Sequence, residues 1–380
     1  MTRSIAVTTG TRADYGILRP VLKAIKQSSK LELLLIVTGM HLSKKHGSTI
    51  NEIKKDGFHI SKTIEFLPKR DTNYEMSVAL GRGIVSFSDA FKKLRPDVNL
   101  VLGDRDEMFA SAIAAYHMNI PNAHIHGGDK SKGGIDEYTR HAITKLSNIH
   151  FAASKKSYSR IIKMGENPKF VFHTGSPSID EITQDNITPK KKLEKKYGIK
   201  FGGKEILLLQ HPVTTQSDQS RKEILETLKA LSQIKAPTIA IAPNSDAGND
   251  DIFKSLAEYS KKYDFIKMYP TVPRSDFLGF LKNSQVFLGN SSSGMIEAGY
   301  FDTPVVNIGI RQEGREGGPN IINVNSSKDE IVRAVQRCLR KKRAYKNRKI
   351  YGTGHASKKI VKYLETVSLG KELIKKQIYY

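Results

Sequence analysis

Ser4-Ile5-Ala6-Val7-Thr8-Thr9-Gly10-Thr11-Arg12-Ala13-Asp14-Tyr15-Gly16 opens the chain with a short apolar run and a polar, glycine-bearing turn. A helical stretch over 17–27 and a second apolar run over 32–38 follow. This is the pattern of a βαβ unit. Its strands read as continuous apolar runs, not alternating ones. Strands buried on both faces look like that, as in a parallel sheet covered by helices.

The same alternation continues outward. Further strands are predicted at 98–102, 123–126, 149–153 and 170–174, with helices over 75–94, 106–117, 137–146 and 155–164. A second array repeats the scheme. Its strands fall at 206–210, 238–242, 265–269, 286–288, 305–308 and 321–324, and its helices at 222–233, 251–261, 276–281, 295–300 and 328–340. Two βα arrays of similar size predict an α/β chain of two Rossmann-like, doubly wound domains facing across a cleft. We expect the first domain at 1–178, the second at 186–354, and basic helices over 355–380 crossing back onto the first. A chain of 380 residues can bury two cores without disulfide or metal staples.

Composition narrows the class. The single cysteine, Cys338, cannot form an intrachain disulfide. The opening residues lack the apolar core of a signal peptide. No run approaches the roughly 18–20 apolar residues that span a bilayer. The expectation is a cytoplasmic protein with no membrane partner. The formal charge is +24, from 62 Lys and Arg against 38 Asp and Glu. Three readings compete: nucleic-acid binding, steering of an anionic ligand, and a solvated lysine-rich surface. The basic stretches at 189–204 and 340–376 carry no recognition motif and no aromatics arranged to stack on bases, so no nucleic-acid partner is expected.

In doubly wound sheets, ligands bind beyond the carboxyl ends of the strands. Polar turns stand at those positions: Gly10–Asp14, Gly39-Met40-His41, Gly103-Asp104-Arg105, His126-Gly127-Gly128-Asp129, His211 through Thr215, Pro243-Asn244-Ser245-Asp246, Gly289-Asn290-Ser291-Ser292-Ser293-Gly294 and Gly309-Ile310-Arg311-Gln312. Arg12, Asp14, His41, Arg105, Asn244 and Arg311 are therefore candidate ligand contacts. Ser291, Ser292, Ser293 and Gly294 follow a strand and open a helix, which suits a diphosphate; an ordinary serine N-cap is the plainer reading. Glu297, a turn further on, is placed to accept from ribose hydroxyls. No G-x-G-x-x-G and no P-loop motif is present, which argues against a nicotinamide or flavin dinucleotide.

Asp104 ends a strand. Asp136 and Glu137 begin a helix that also carries Arg140, His141 and Lys145. An acidic pair there either caps the helix or, beside Arg140 and His141, works as acid and base. His124, His126 and His141 raise the question of a metal, but with no H-E-x-x-H and no cysteine ligand a metal is not expected. His126 is read as a site histidine or a hydrogen-bonded turn histidine. His211, at the end of the second array's first strand, either reaches a phosphate or takes part in proton transfer, or it bonds nearby backbone.

These clusters, in this order, resemble the UDP-N-acetylglucosamine 2-epimerase family, most closely its hydrolysing, sialic-acid-type branch. The matching segments are Thr9–Gly16, Val37-Thr38-Gly39-Met40-His41-Leu42, Gly103-Asp104-Arg105, Arg140 through Leu146, Met164-Gly165-Glu166, His211 through Thr215, Gly289-Asn290-Ser291-Ser292 and Arg311-Gln312. The resemblance implies a fold similar to two-domain glycosyltransferases, with the second domain holding the nucleotide. It implies an elimination in which a base removes the C2 proton as UDP leaves C1. Water then adds to the glycal, releasing N-acetylmannosamine. No cofactor and no metal are implied, and a homodimer or homotetramer is. Asp104 and Asp136, with Glu137 as the adjacent alternative, match acid/base positions. Ser291, Ser292 and Glu297 match diphosphate and ribose contacts, and Phe277 lies where the family places an aromatic near uracil. The chain departs from the family at His124-Ile125-His126-Gly127-Gly128, where His126 replaces a glutamate. That change admits a 2,4-diacetamido-trideoxy sugar as substrate in place of UDP-N-acetylglucosamine. A non-hydrolysing epimerase is the further alternative.

Overall fold

The computed structural model describes residues 2–43, 49–68, 70, 72–131, 135–183, 187–243, 246, 248–340 and 349–379. It divides into two compact units. The first holds Met1–Asp129, Asp136–Gln184 and Tyr351–Tyr380; the second holds Lys130–Ile135 and Asp185–Ile350.

The first unit's sheet runs β1 (Arg3–Thr9), β2 (Leu31–Thr38), β3 (Ile60–Ile64), β4 (Val98–Leu102), β5 (Asn122–Ile125), β6 (Ile149–Ala152) and β7 (Val171–His173). Helices α1 (Arg12–Gln27), α2 (Ile50–Lys55), α3 (Asn73–Leu94), α4 (Asp106–His117), α5 (Asp136–Leu146), α6 (Lys155–Lys163) and α7 (Pro177–Thr183) connect and follow them. The strand order is β3-β2-β1-β4-β5-β6-β7, and every pairing is parallel. The second unit holds β8 (Ile206–Leu209), β9 (Thr238–Ile241), β10 (Ile266–Tyr269), β11 (Val286–Gly289), β12 (Val305–Ile308) and β13 (Ile321–Val324). Its helices are α8 (Lys190–Tyr197), α9 (Ser220–Ile234), α10 (Asn249–Lys262), α11 (Arg274–Asn283), α12 (Ser292–Ile296) and α13 (Lys328–Arg340). Its order, β10-β9-β8-β11-β12-β13, is again parallel throughout. The chain closes with α14 (Ala356–Thr366) and α15 (Lys371–Ile374).

Period-two alternation divides each strand between two helix layers. Ile5, Val7, Leu35 and Val37 face a core completed by Leu18, Leu22 and Ile25 of α1. Ala6 and Ile36 face the opposite core, with Phe87 and Phe91 of α3 and Ala110 and Ala114 of α4. Each such Leu, Ile or Phe contributes about 1.5–3 kcal/mol by leaving water. Thr11 caps α1, and Asp14 completes a capping box with it.

The closing helices pack on the first sheet. Ile360 and Leu364 join its core. Tyr363 stacks on Phe172 with ring centroids 3.8 Å apart. The buried Asp180 carboxylate accepts from the backbone N–H of Ala356 at 2.9 Å and of Ser357 at 2.7 Å, so α7 supplies the N-cap that α14 lacks.

Four elements have no counterpart in the sequence reading: β3, α2, α7 and α8. β3 is an edge strand with exposed Lys62 and Thr63, so it shows no apolar run. α2 is six residues long and α8 reads Lys190-Lys191-Lys192-Leu193-Glu194-Lys195-Lys196-Tyr197, with Leu193 its buried anchor. The helix expected over 295–300 divides into α12 and a 3₁₀ turn at Ala298–Phe301.

Candidate active site

In each sheet the order reverses at a single pair of neighbours: β1 beside β4 in the first, β8 beside β11 in the second. Loops on either side of such a point diverge and leave a crevice at the carboxyl ends. The candidate residues concentrate there.

At the end of β1, Asp14 is buried and accepts from the N–H of Thr11 at 2.8 Å, from both Gly10 contacts at 3.2 Å and from the Thr9 and Thr11 hydroxyls. Burial raises its pKa, opposed by the Thr9 and Thr11 bonds. His41 is fully buried, with Nε2 3.0 Å from Thr9 Oγ1 and Nδ1 2.6 Å from Thr49 Oγ1. Burial pushes it down to about 4, so it is neutral at pH 7. Both residues build the loop. Arg12 reaches Glu52 of α2 through Nε at 2.9 Å. Arg105 reaches Glu107 at 3.1 Å. Glu107, not among the expected residues, lies beneath two glycines: a Cβ on Gly39 would sit 2.5 Å from its Oε1, and one on Gly10 2.8 Å. Gly39 also has φ +58°. Three strand-end loops therefore close over one buried carboxylate because two of them lack side chains.

Asp104, at the end of β4, pairs with Arg140 of α5. Arg140 is 1% exposed and also donates to the Asp129 carbonyl at 3.0 Å. Burial alone would lower its pKa; Asp104, then Asp129 and Asp136, raise it overall, so the guanidinium stays charged. His126 takes a left-handed φ of +66° at the end of β5. Its Nδ1 lies 2.9 Å from Asp129 Oδ2 and its Nε2 2.8 Å from Ser176 Oγ. A proton on Nδ1 directed at Asp129 leaves Nε2 to accept the serine hydroxyl. Ser157 donates to the other Asp129 oxygen at 2.7 Å. His124 is pushed down to about 3 by burial and lies 2.7 Å, through Nε2, from the carbonyl of Gly103. His141 is 3.7 Å from Glu137, and burial lowers its pKa. Asp136 and Glu137 form the half-exposed first turn of α5. Asp104, His126, Arg140 and Asp129 thus make one hydrogen-bonded group, with Asp136 a turn from Arg140. No group of three or more His, Cys, Asp and Glu is placed to hold a metal among the described residues.

In the second unit, the Asn290 side chain straps the two switch-point loops. It accepts from the His211 N–H at 2.7 Å and donates to the His211 carbonyl at 2.9 Å. Arg311 and Gln312 both donate to the Asn290 carbonyl, at 3.2 and 3.0 Å. Ser291 is the N-cap of α12 and accepts from Ser293 N–H; Ser292 and Ser293 stay partly exposed. Gly294 is required by packing, since a Cβ would meet Phe287 at 2.9 Å and Val305 at 3.1 Å. Glu297 ends α12, is 2% exposed, and is clasped by both terminal nitrogens of Arg274. That guanidinium lies 5.7 Å over the ring of Phe277, which is itself buried. Asn244 lies outside the described residues.

Sequence reasoning missed Glu107, Arg274, Ser176 and Glu52. None stands within a strand-end cluster, and apart from the Arg105–Glu107 pair their partners lie far along the chain. Asp129 and Asn290 were inside quoted clusters, but their partners were not legible.

Comparison with known proteins shows the family. The family model described as UDP-N-acetylglucosamine 2-epimerase matches residues 23–365. A Legionella pneumophila protein named UDP-N,N'-diacetylbacillosamine 2-epimerase (hydrolyzing) is 40% identical over 377 residues, covering 99% of each chain. A Campylobacter jejuni protein named GDP/UDP-N,N'-diacetylbacillosamine 2-epimerase (hydrolyzing) is 36% identical over 323 residues, 84% of each. The crystal structure of the Neisseria meningitidis UDP-GlcNAc 2-epimerase bound to UDP-GlcNAc matches in fold. Its TM-score is 0.80 at 19% identity, covering 95% of this chain and 99% of that one. The chain therefore belongs to the UDP-N-acetylglucosamine 2-epimerase family, in the branch whose named members are hydrolysing.

Proposed function

We propose that this protein is a hydrolysing 2-epimerase of a UDP-linked 2,4-diacetamido-2,4,6-trideoxy sugar. The observation that carries the reading is 40% identity, across 99% of both chains, to the Legionella protein named UDP-N,N'-diacetylbacillosamine 2-epimerase (hydrolyzing). His126 in place of the family's glutamate supports a sugar other than N-acetylglucosamine, because it removes the family's carboxylate from that strand end. UDP-N-acetylglucosamine is the second reading. It is favoured by a Neisseria meningitidis relative of that name at 33% identity over 338 residues.

In this proposal the second unit takes the nucleotide. The Ser291–Gly294 turn, His211 and Arg311 take the diphosphate, Glu297 the ribose, and Phe277 the region of the base. The first unit moves protons. Asp104, held beside a permanently charged Arg140, removes the C2 proton as the C1–O bond to UDP breaks. Asp136, or Glu137 beside it, delivers water to the glycal, giving the free 2-epimer and UDP. His126, with both ring nitrogens bonded inside the unit, orients the Gly127–Asp129 turn.

Proton NMR in D₂O with each nucleotide sugar in turn tests this. Free sugar deuterated at C2, released with UDP only from the diacetamido donor, is the expected result. Turnover of UDP-N-acetylglucosamine alone would establish the second reading. A UDP-linked epimer without free sugar would overturn hydrolysis.

A further inference from the structure

Lys376, four residues from the chain end, is not part of any site described above. Its Nζ donates to the carbonyls of Lys145 and Ser147, each at 2.7 Å, and of Thr144 at 3.4 Å. These are the last carbonyls of α5 and its exit, groups a helix cannot satisfy itself. The same ammonium lies 2.6 Å from Glu166, which is 1% exposed and also accepts from Lys145 Nζ at 2.6 Å and lies 3.1 Å from His150 Nε2. Burial works to raise the Glu166 carboxyl, but His150, Lys376 and Lys145 bring it down to about 2. Two further hydrogen bonds to backbone carbonyls hold this stretch of chain in place. Asn148 Nδ2 donates to the Leu373 carbonyl at 2.8 Å, and Tyr379 N–H to the Gly165 carbonyl at 2.9 Å. The result is an ammonium at the negative end of a helix dipole, partly buried and matched by a buried carboxylate.

What α5 carries gives this contact its consequence. It has 11 residues, too few to be stable by propensity alone. Its first half presents Asp136, Glu137, Arg140 and His141, and Arg140 holds Asp104. We propose that Lys376 is a positioning residue: a cap, supplied from the far end of the chain, that holds α5 in the register aiming Arg140 at Asp104. Its catalytic consequence rests on the function proposed above; its effect on the helix does not.

The test is Lys376→Met and Lys376→Arg in the full-length protein, with hydrogen exchange, UDP calorimetry and steady-state kinetics. In Lys376→Met, amides over 140–147 should exchange faster, and kcat should fall about ten-fold, as small misplacements of catalytic groups do. KM and UDP affinity should stay within about two-fold, and Lys376→Arg should restore most of kcat. Glu166→Gln, which keeps the shape, should loosen the same amides if Lys376→Met does not fold. Unchanged exchange over α5, or unchanged kcat despite faster exchange, overturns the proposal. Equal losses in kcat and UDP binding would also overturn it, by marking a general structural defect. If the wild type turns over no nucleotide sugar, the functional reading fails while the exchange result still decides the cap.

Discussion

In the proposed reaction Asp104 is the base and His126 orients the turn beside it, and their surroundings set opposite expectations. Asp104 is one-quarter exposed and opposes the buried Arg140. Asp104→Asn keeps a hydrogen-bond acceptor there but removes the proposed base, so kcat should fall about 10²–10⁴-fold. UDP affinity, measured by calorimetry, should stay unchanged; its loss would make Asp104 a binding residue. His126→Glu restores the family's carboxylate but sets it against Asp129, now 2.9 Å from the ring. Like charges that close and buried should cost about 1–3 kcal/mol, read as a lowered Tm. Adding Asp129→Asn should recover the loss. A wild-type Tm in the single variant would mean the turn rearranges freely. That both residues stand just after strands was legible in the sequence. Their partners Arg140, Asp129 and Ser176 were not, because each pair is closed by the sheet and not by the chain.

At the scale of elements, backbone geometry at strand ends is the constraint. Gly289 closes β11 with φ +132°, and a Cβ there would lie 2.0 Å from the Leu209 carbonyl. Gly289→Ala should therefore destabilise the second unit by about 2–4 kcal/mol and misplace the Ser291 turn. A drop in the denaturant midpoint together with weakened UDP binding is expected; an unchanged midpoint would show that the strand end can shift. Elements with long apolar or helical periodicity were readable: β4, α4, β12, β13 and α13 fall at their expected bounds. The missed ones, β3, α2 and α8, draw their stability from neighbours more than from their own pattern.

Over the whole molecule, buried neutral histidines predict acid lability. His41 and His124 are pushed from 6.5 down to about 4 and about 3 by burial. A lowered folded pKa means the unfolded chain binds protons first as pH falls. Their contribution is thus complete above pH 6.5 and is lost on descending from 6.5 toward those values. Urea midpoints should decline below that pH, and His124→Gln should flatten the slope; an unchanged slope would mean His124 charges freely in the fold. Two α/β arrays, their parallel sheets and the polar turns at the strand ends were determined by the sequence alone, because hydrophobic period and strand-end polarity are local properties. Which carboxylate meets which guanidinium, that Glu107 lies under two glycines, and that Lys376 caps α5 were decided only by tertiary structure. These contacts join residues up to 232 positions apart, and a partner's distance in space leaves no periodic trace in the chain.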